Sequence, residues 1–418
     1  MKLLPPLLLV VSLAAPLGAV WAQAAAPAAS AASAPANAVR QEVYTAMQSV
    51  QELFKTNQWA PALARVEQAL AQTPTPSPYE TAVMQRARGL VLLQLQRVAD
   101  ALPALEAALA TNALPKEEQL QLQAPLARGH FQLKNYPVAL EWMRRAVADG
   151  NNWTGLPAVR ARAVYLSGDY PGAVREFEAV VNAYTTSPPP DEDLRLLASA
   201  YSQVKDFNGY TRVLERLMRD YPRPEYWADM LARVPRMPSW QPRWDLDLYR
   251  LRLQVGEMKE SADYVELAEL ASKAGLPVEA QQVLEAGYGK GLLGSGSGAA
   301  EQQKLRASTN KLADDDRKNL ATVRPLAVTD GRSAGTALST GFALVTVGQA
   351  DRGLELMKAA VASPQIADAA YGRLQLALAL QRAGRTAEAL EGFKALGTHE
   401  SLGLLARLWL LALTPKKG

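Results

Sequence analysis

Five glutamates, Glu67, Glu106, Glu141, Glu176 and Glu215, stand at similar places along the chain, and carboxylates are the groups that general acid–base chemistry would recruit. Their recurrence instead marks them as members of a repeated, solvated helix face. The dense acidic runs Asp191-Glu192-Asp193 and Asp314-Asp315-Asp316 do not continue into the loop spacing of a calcium site. Both are expected at helix starts, where the macrodipole favours negative charge. There is no cysteine, and the only histidines, His130 and His399, lie far apart. That excludes disulfides, thiol nucleophiles and zinc-finger spacings, and it gives His130 a structural or surface role inside a helix. A Gly-rich phosphate loop, a G-x-S-x-G elbow and an H-E-x-x-H pair are all missing, so no catalytic residue, metal or cofactor is expected.

What remains is a row of cations, amides and hydroxyls: Arg86, Gln94, Arg128, Gln132, Arg162, Tyr165, Arg195, Ser199 and Gln203. Guanidinium groups with such neighbours suit carboxylates or an extended acidic peptide. The same residues would equally serve to solvate a groove. A second candidate is the group Trp227, Trp240 and Trp244, interleaved with Pro222, Pro224, Pro235, Pro238 and Pro242. Large aromatics in such a setting either form a recognition patch or fill an irregular junction. The 45 basic and 41 acidic residues are interspersed, which is not the footprint of a nucleic-acid binder.

The elements that must carry these residues are clearest between Arg160 and Val181, RARAVYLSGDYPGAVREFEAVV. Gly168 ends one helix and Asp169 caps the next. Tyr170 packs back on the first helix, while Val174, Phe177, Val180 and Val181 form a buried stripe. Ala161 and Ala173, twelve residues apart, let the two helices approach closely. The same pairing recurs as Val50/Ala62, Gly89/Ala101, Ala127/Ala139, Ala198/Tyr210, Ala268/Ala280, Gly341/Gly353 and Ala377/Ala389. Its two oversized gaps, Tyr210 to Ala280 and Ala280 to Gly353, each have room for one degenerate unit. A helix pair cannot bury its apolar face alone, so the chain is expected to be an all-α stack of antiparallel pairs.

Along the chain, residues 1–24 combine a basic start, an apolar run and small residues for cleavage, the pattern of a secretory signal peptide. Residues 25–38 form an Ala/Pro-rich leader with little to bury. A helical array follows at 39–222, then a Pro/Trp-rich segment at 223–262 with short helices near 225–234 and 244–255. A further unit spans 263–290. Residues 291–334 hold a Gly-rich loop and a polar helix from about 301 to 323, broken or restarted near Asp314. Two units with a final helix, Ser401 to Leu413, occupy 335–418. That helix should cover the exposed end of the stack, or else dock another protein. The longest apolar run after the leader, Leu402 to Leu413, contains Arg407 and is too short to span a bilayer.

Asn57-Gln58-Trp59, Lys134-Asn135-Tyr136, Gly168-Asp169-Tyr170 and Lys205-Asp206-Phe207, with Pro74 and Pro222 closing their units, resemble the tetratricopeptide repeat family. Tyr210, Ala350 and Thr386 depart from its pattern. The resemblance implies a right-handed superhelical solenoid whose first helices line the concave face, and a protein or peptide as partner. More narrowly, Pro224-Glu225-Tyr226-Trp227 and Ala274-Gly275-Leu276-Pro277-Val278-Glu279-Ala280 look like the periplasmic members that accompany TonB–ExbB–ExbD systems. That implies a non-enzymatic scaffold coupling a TonB-type transducer to outer-membrane receptors. The alternatives are a scaffold for outer-membrane assembly or polysaccharide export, and an envelope enzyme with a hydrolase site hidden between Pro222 and Ala334.

Overall fold

The computed structural model describes residues 38–323 and 328–414; residues 1–24, read above as a signal peptide, and nearly all of residues 25–38 lie outside them. Every regular element among the described residues is a helix. The chain forms two compact units that divide between Thr185 and Thr186, inside the stretch that the repeat pattern reads as one array. Unit 1 holds the pairs α1 (Gln41–Lys55) and α2 (Trp59–Gln72), α3 (Pro78–Gln94) and α4 (Val98–Ala110), α5 (Lys116–Gln132) and α6 (Tyr136–Ala148), and α7 (Leu156–Leu166) and α8 (Tyr170–Asn182). Unit 2 opens with α9 (Asp191–Gln203) and α10 (Phe207–Asp220), followed by α11 (Pro224–Arg233), α12 (Asp245–Gln254), α13 (Ser261–Lys273) and α14 (Pro277–Gly289). It continues with α15 (Ala299–Thr322), α16 (Gly331–Thr346), α17 (Ala350–Ala362), α18 (Ala369–Arg382), α19 (Thr386–Leu396) and α20 (Gly403–Leu413). It is an all-α array of antiparallel helix pairs.

One turn geometry makes the pairs. Two residues before each second helix the backbone enters the left-handed region, at Asn57, Gln96, Lys134, Gly168, Lys205, Gly275, Gly348 and Gly384. At all of these but Gly168 the next N–H donates to the carbonyl five residues back, as Gln58 does to Leu53 at 2.9 Å and Asn135 to His130 at 2.8 Å. This closes the first helix and reverses the chain within three residues. Glycine meets that geometry without steric cost, as at Gly168 with φ 87°. Asp169 then accepts from the Gly172 N–H at 2.9 Å, capping α8 as its sequence suggests. The aromatic that opens the second helix leans edge-on against the first: Phe54 on Trp59, Phe131 on Tyr136 and Tyr165 on Tyr170, with centroids 5.2 to 5.6 Å apart.

The small residues lie at the crossings. Ala62, Ala101, Ala139, Ala173, Ala280, Gly353 and Ala389 are all buried, as are their partners twelve residues upstream. Tyr210 is the exception and turns toward α11, where it donates to Asp229 and lies under Arg233 at 4.2 Å. Burial, first, and then Asp229 push its hydroxyl pKa up to about 12. Gly209, one residue earlier, supplies the missing space: a Cβ there would stand 2.1 Å from the Tyr201 ring.

Unit 1 is also tied together by charge. Glu80 accepts from the Arg40 backbone N–H at 2.8 Å and from its guanidinium at 2.9 and 2.8 Å, and it closes a capping box with Ser77 on α3. Hydrogen bonding from Arg40 lowers the Glu80 pKa from 4.5 to about 2. A depressed carboxylate contributes stability that is present above its unfolded pKa and lost as pH falls through the folded value. Glu80→Gln is expected to cost unit 1 about 2 kcal/mol at neutral pH, a deficit that closes as pH falls from about 5 toward 2. Urea midpoints of both proteins across that pH range check this; a constant deficit would contradict it.

Several expectations from sequence change here. The first long gap does hold the two short helices expected there, but α11 packs on α10 and α12 on α13, and 3-10 turns at Val234–Arg236 and Pro242–Trp244 join them where proline interrupts the helix ladder. The second gap holds a single helix, α15, which runs unbroken through Asp314 and packs on α14. Asp314–Asp316 therefore sit inside a helix and not at its start; Arg317 pairs with Asp314 at 3.0 Å. Gln302, Thr309, Ala313 and Leu320 give α15 a narrow buried stripe, and Arg306 holds Glu285 of α14 at 2.7 and 2.5 Å. The recurring glutamates are not simply solvated: Glu67 reaches Arg88, Glu106 reaches His130, Glu176 reaches Arg160 and Glu215 reaches Arg407, each on another helix.

The last helix does more than cover an end. Leu404, Leu405, Leu408 and Trp409 are buried, and α20 packs on α19 and also on α10 and α12. Arg407 grips Glu215 of α10 with two hydrogen bonds, at 2.7 and 2.8 Å. Unit 2 thereby closes on itself.

Candidate partner-binding site

Of the nine residues singled out as a cationic row, six lie on the first helices of unit 1 and Arg195, Ser199 and Gln203 lie on α9 in unit 2. Arg86 is not available on an open face. It is buried and donates to Glu118 of α5, also buried, so it ties α3 to α5. Arg195 is exposed and pairs with Asp191 one turn earlier at 3.2 Å. Gln94, Arg162 and Tyr165 are half-buried, Tyr165 against Tyr170; Gln132 and Gln203 are exposed, and Ser199 is half-buried.

Arg128 stands apart. Its half-buried guanidinium lies over the Trp153 ring, 5.8 Å from the centroid. Burial alone pulls its pKa down, with no carboxylate opposing that shift. Its Nε is buried without an acceptor, and so is Nε1 of Trp153. The species that suits a guanidinium with no carboxylate acting on it is a carboxylate. Trp153 was not singled out from sequence, although a lone tryptophan in the polar linker Asn151-Asn152-Trp153-Thr154 is a usable signal.

Two other depressions in unit 1 offer less. A cavity of about 30 Å³ between α1 and α3, lined by Met47, Val50, Phe54 and Leu90, holds no more than a methyl-sized group. An open groove of about 510 Å³ by α4, α5 and α6 has its charges already matched, with Asp149 bound by Lys116 at 2.7 Å and by Gln123 at 2.6 Å.

The tryptophans do not form one exposed patch. Trp244 is 2% exposed and belongs to the core of unit 2. Trp240 is half-buried edge-on against it, centroids 5.4 Å apart, and donates to Asp245 at 2.7 Å. Trp227 is half-buried on α11. Burial inside a proline-broken junction accounts for Trp240 and Trp244.

Unit 2 contains a charged network that the sequence does not display. Arg250 of α12 donates to Glu279 of α14 at 2.9 and 2.5 Å and to Asp247 at 2.8 Å, and stacks on Phe342 of α16 at 4.3 Å. Gln375 of α18 donates to Asp247 at 2.8 Å, and Arg382 approaches Glu279 at 3.4 Å. Burial pushes the Asp247 pKa up. Burial also opposes ionisation of Glu279, but the Arg250 charge and hydrogen bonds hold its pKa below the ordinary value.

No family model and no curated protein matches the chain. Among solved structures, the Naa15/Naa10 complex bound to HypK-THB aligns over 87% of this chain at 15% identity and TM-score 0.32. The chain spans 58% of the length of that protein. The quorum sensor NprR from B. thuringiensis, in its apo form, aligns over 86% of this chain and 88% of its own at 14% identity and TM-score 0.31. With scores this low, the paired-helix architecture rests on the turns and crossings described above. The TPR domain of P58(IPK) is similar over 89% of this chain and 97% of its own, at 13% identity and TM-score 0.24.

Proposed function

We propose that the chain is a binding scaffold with no reaction of its own, and that unit 1 takes an extended acidic segment of a partner protein through Arg128 and Trp153. The observation that carries this reading is the half-buried Arg128 guanidinium, which lies over the Trp153 ring and which no carboxylate neutralises. The helix-pair array suits the role, because stacked repeats present extended surfaces built from successive first helices.

The secretory pattern of residues 1–24 supports a periplasmic location, and Pro224–Trp227 with Ala274–Ala280 support a role beside a TonB-type transducer and its outer-membrane receptors. A photo-crosslinker at the exposed Gln132, one turn from Arg128, tests this in intact envelopes. Recovery of a TonB-type transducer or its receptors supports the assignment. Recovery of outer-membrane assembly or polysaccharide-export components replaces it with those systems.

The groove chemistry has its own test. A fluorescent Glu-Ala repeat octapeptide should bind, the matching Gln-Ala peptide should bind far more weakly, and Arg128→Gln should cost roughly tenfold in affinity, or about 1.4 kcal/mol. Arg128 has no ion-pair partner to strand, so the variant keeps its urea midpoint. Equal affinities of wild type and variant would remove Arg128 from the site.

A further inference from the structure

Between α6 and α7 the chain runs through Asp149-Gly150-Asn151-Asn152-Trp153-Thr154-Gly155, with left-handed backbone at Gly150 and Gly155, φ 70° and 85°. With no helix ladder of its own, this linker takes its place from the groups that tie it down. Two of its side chains are tied to α5. Asp149 accepts from Lys116 at 2.7 Å and from Gln123 at 2.6 Å, and those hydrogen bonds hold its carboxyl below the ordinary value. Asn151 donates to the Leu120 carbonyl at 2.6 Å and to the Gln123 side-chain oxygen at 2.9 Å. The buried Gln123 therefore gives to one linker residue and accepts from another. Trp153, two residues past Asn151, lies over the Arg128 guanidinium with 5.8 Å to the ring centroid and packs against a core that includes Met143 and Leu156.

We propose that Asn151 is a positioning residue for the acidic-segment site: by pinning the linker to α5 it sets the Trp153 ring over Arg128, and the ring holds the guanidinium in place for the partner's carboxylate. The inference rests on the reading of Arg128 given above. A guanidinium held by an aromatic ring presents its N–H groups in one fixed plane, the arrangement that the two oxygens of a carboxylate match. The competing arrangement is a ring held by its apolar neighbours alone, in which Asn151 would matter only to stability. Asn152, the next residue, is exposed, and its truncation serves as the control.

The indole N–H resonance of Trp153 in the ¹⁵N-labelled full chain, assigned by its loss in Trp153→Phe, reads the ring directly. Asn151→Ala should move that resonance, and Asn152→Ala should leave it in place. Gln123→Met, which strips the other half of the anchor from α5, should move it as Asn151→Ala does and keeps the test open if Asn151→Ala folds poorly. Asn151→Ala should also weaken binding of the fluorescent Glu-Ala octapeptide roughly threefold to tenfold, the worth of one cation–π contact, and leave the Gln-Ala peptide unchanged, a split that lost stability alone does not produce. A resonance that stays put in both variants would overturn the proposal. So would a wild-type affinity in Asn151→Ala where Arg128→Gln still weakens binding, and the acidic-segment reading survives either result. A wild-type chain that does not take the Glu-Ala peptide would remove that reading, while the resonance comparison would still establish or refute the anchoring of Trp153.

Discussion

Arg250→Met is expected to lower the stability of unit 2 by about 3–5 kcal/mol, the usual consequence of removing one partner from a buried ion pair. Asp247 is 0% and Glu279 2% exposed, and Arg250 is the cation that both of them hold closely. Without it, Glu279 keeps only the 3.4 Å approach of Arg382, and Asp247 keeps the amide of Gln375 and the hydroxyl of Tyr371. The sign with pH follows from the two carboxylates. Glu279, with its pKa depressed in the folded wild type, contributes stability above the unfolded pKa of about 4.5 that is lost as pH falls through the folded value. Asp247, with its pKa raised by burial, works the other way and costs stability as pH rises from its unfolded value through its folded one. Removing Arg250 lets both carboxyls take up protons more readily in the folded state, so the deficit of the variant narrows as pH is lowered from 7 toward 4. Urea unfolding, with hydrogen exchange of α12, α14 and α18 read by mass spectrometry, gives both the size and the location. The triple variant Asp247→Leu, Arg250→Met, Glu279→Leu should recover most of the loss, since apolar side chains leave no charge without a partner. A triple variant as unstable as Arg250→Met would show that packing, and not uncompensated charge, sets the cost.

Gly353→Ala is expected to cost about 3 kcal/mol, at the upper end of overpacking effects. At the crossing of α16 and α17 a Cβ on Gly353 would stand 2.4 Å from the Gly341 carbonyl oxygen and 2.8 Å from Val345 Cγ2. The closest of these neighbours is backbone, so relief requires the two helices to separate. Gly335, on the same α16, meets nothing within 4 Å. Gly335→Ala therefore serves as the control and should stabilise by up to about 1 kcal/mol through helix propensity. Thermal or urea unfolding of the two variants side by side decides the matter, and equal effects would refute a steric origin.

Both expectations concern unit 2, yet they differ in how far a sequence reveals them. Gly341 and Gly353 belong to the run of small residues twelve apart, and that run, the aromatics that open the second helices and the capping Asp169 are all visible in one dimension. They are visible because the contacts they make are local: a helix, a three-residue turn, and the helix beside it. The same locality makes α11 and α12 legible as short helices around prolines. It does not reach Arg86, whose spacing on α3 is that of an open face but whose partner Glu118 comes from the next pair and buries it. Nor does it mark Trp153, which matters only because the linker after α6 lays its ring against Arg128.

The residues of the long-range network are further still from any pattern. Arg243 meets Asp368 at 2.5 Å, Asp247 meets Gln375 at 2.8 Å, and Arg407 meets Glu215 at 2.7 Å, across separations of 125, 128 and 192 residues. Helical periodicity says which face of α12 or α20 is apolar, but not which distant helix will cover it. The amino-acid sequence by itself determined the helices, their turns, their pairing and the close crossings, because each depends on residues within one hairpin. Only the tertiary structure decided that α20 returns to α10 and α12, that Arg250 is enclosed, and that Arg128 is left without a carboxylate, because those outcomes depend on how successive pairs accumulate along each unit.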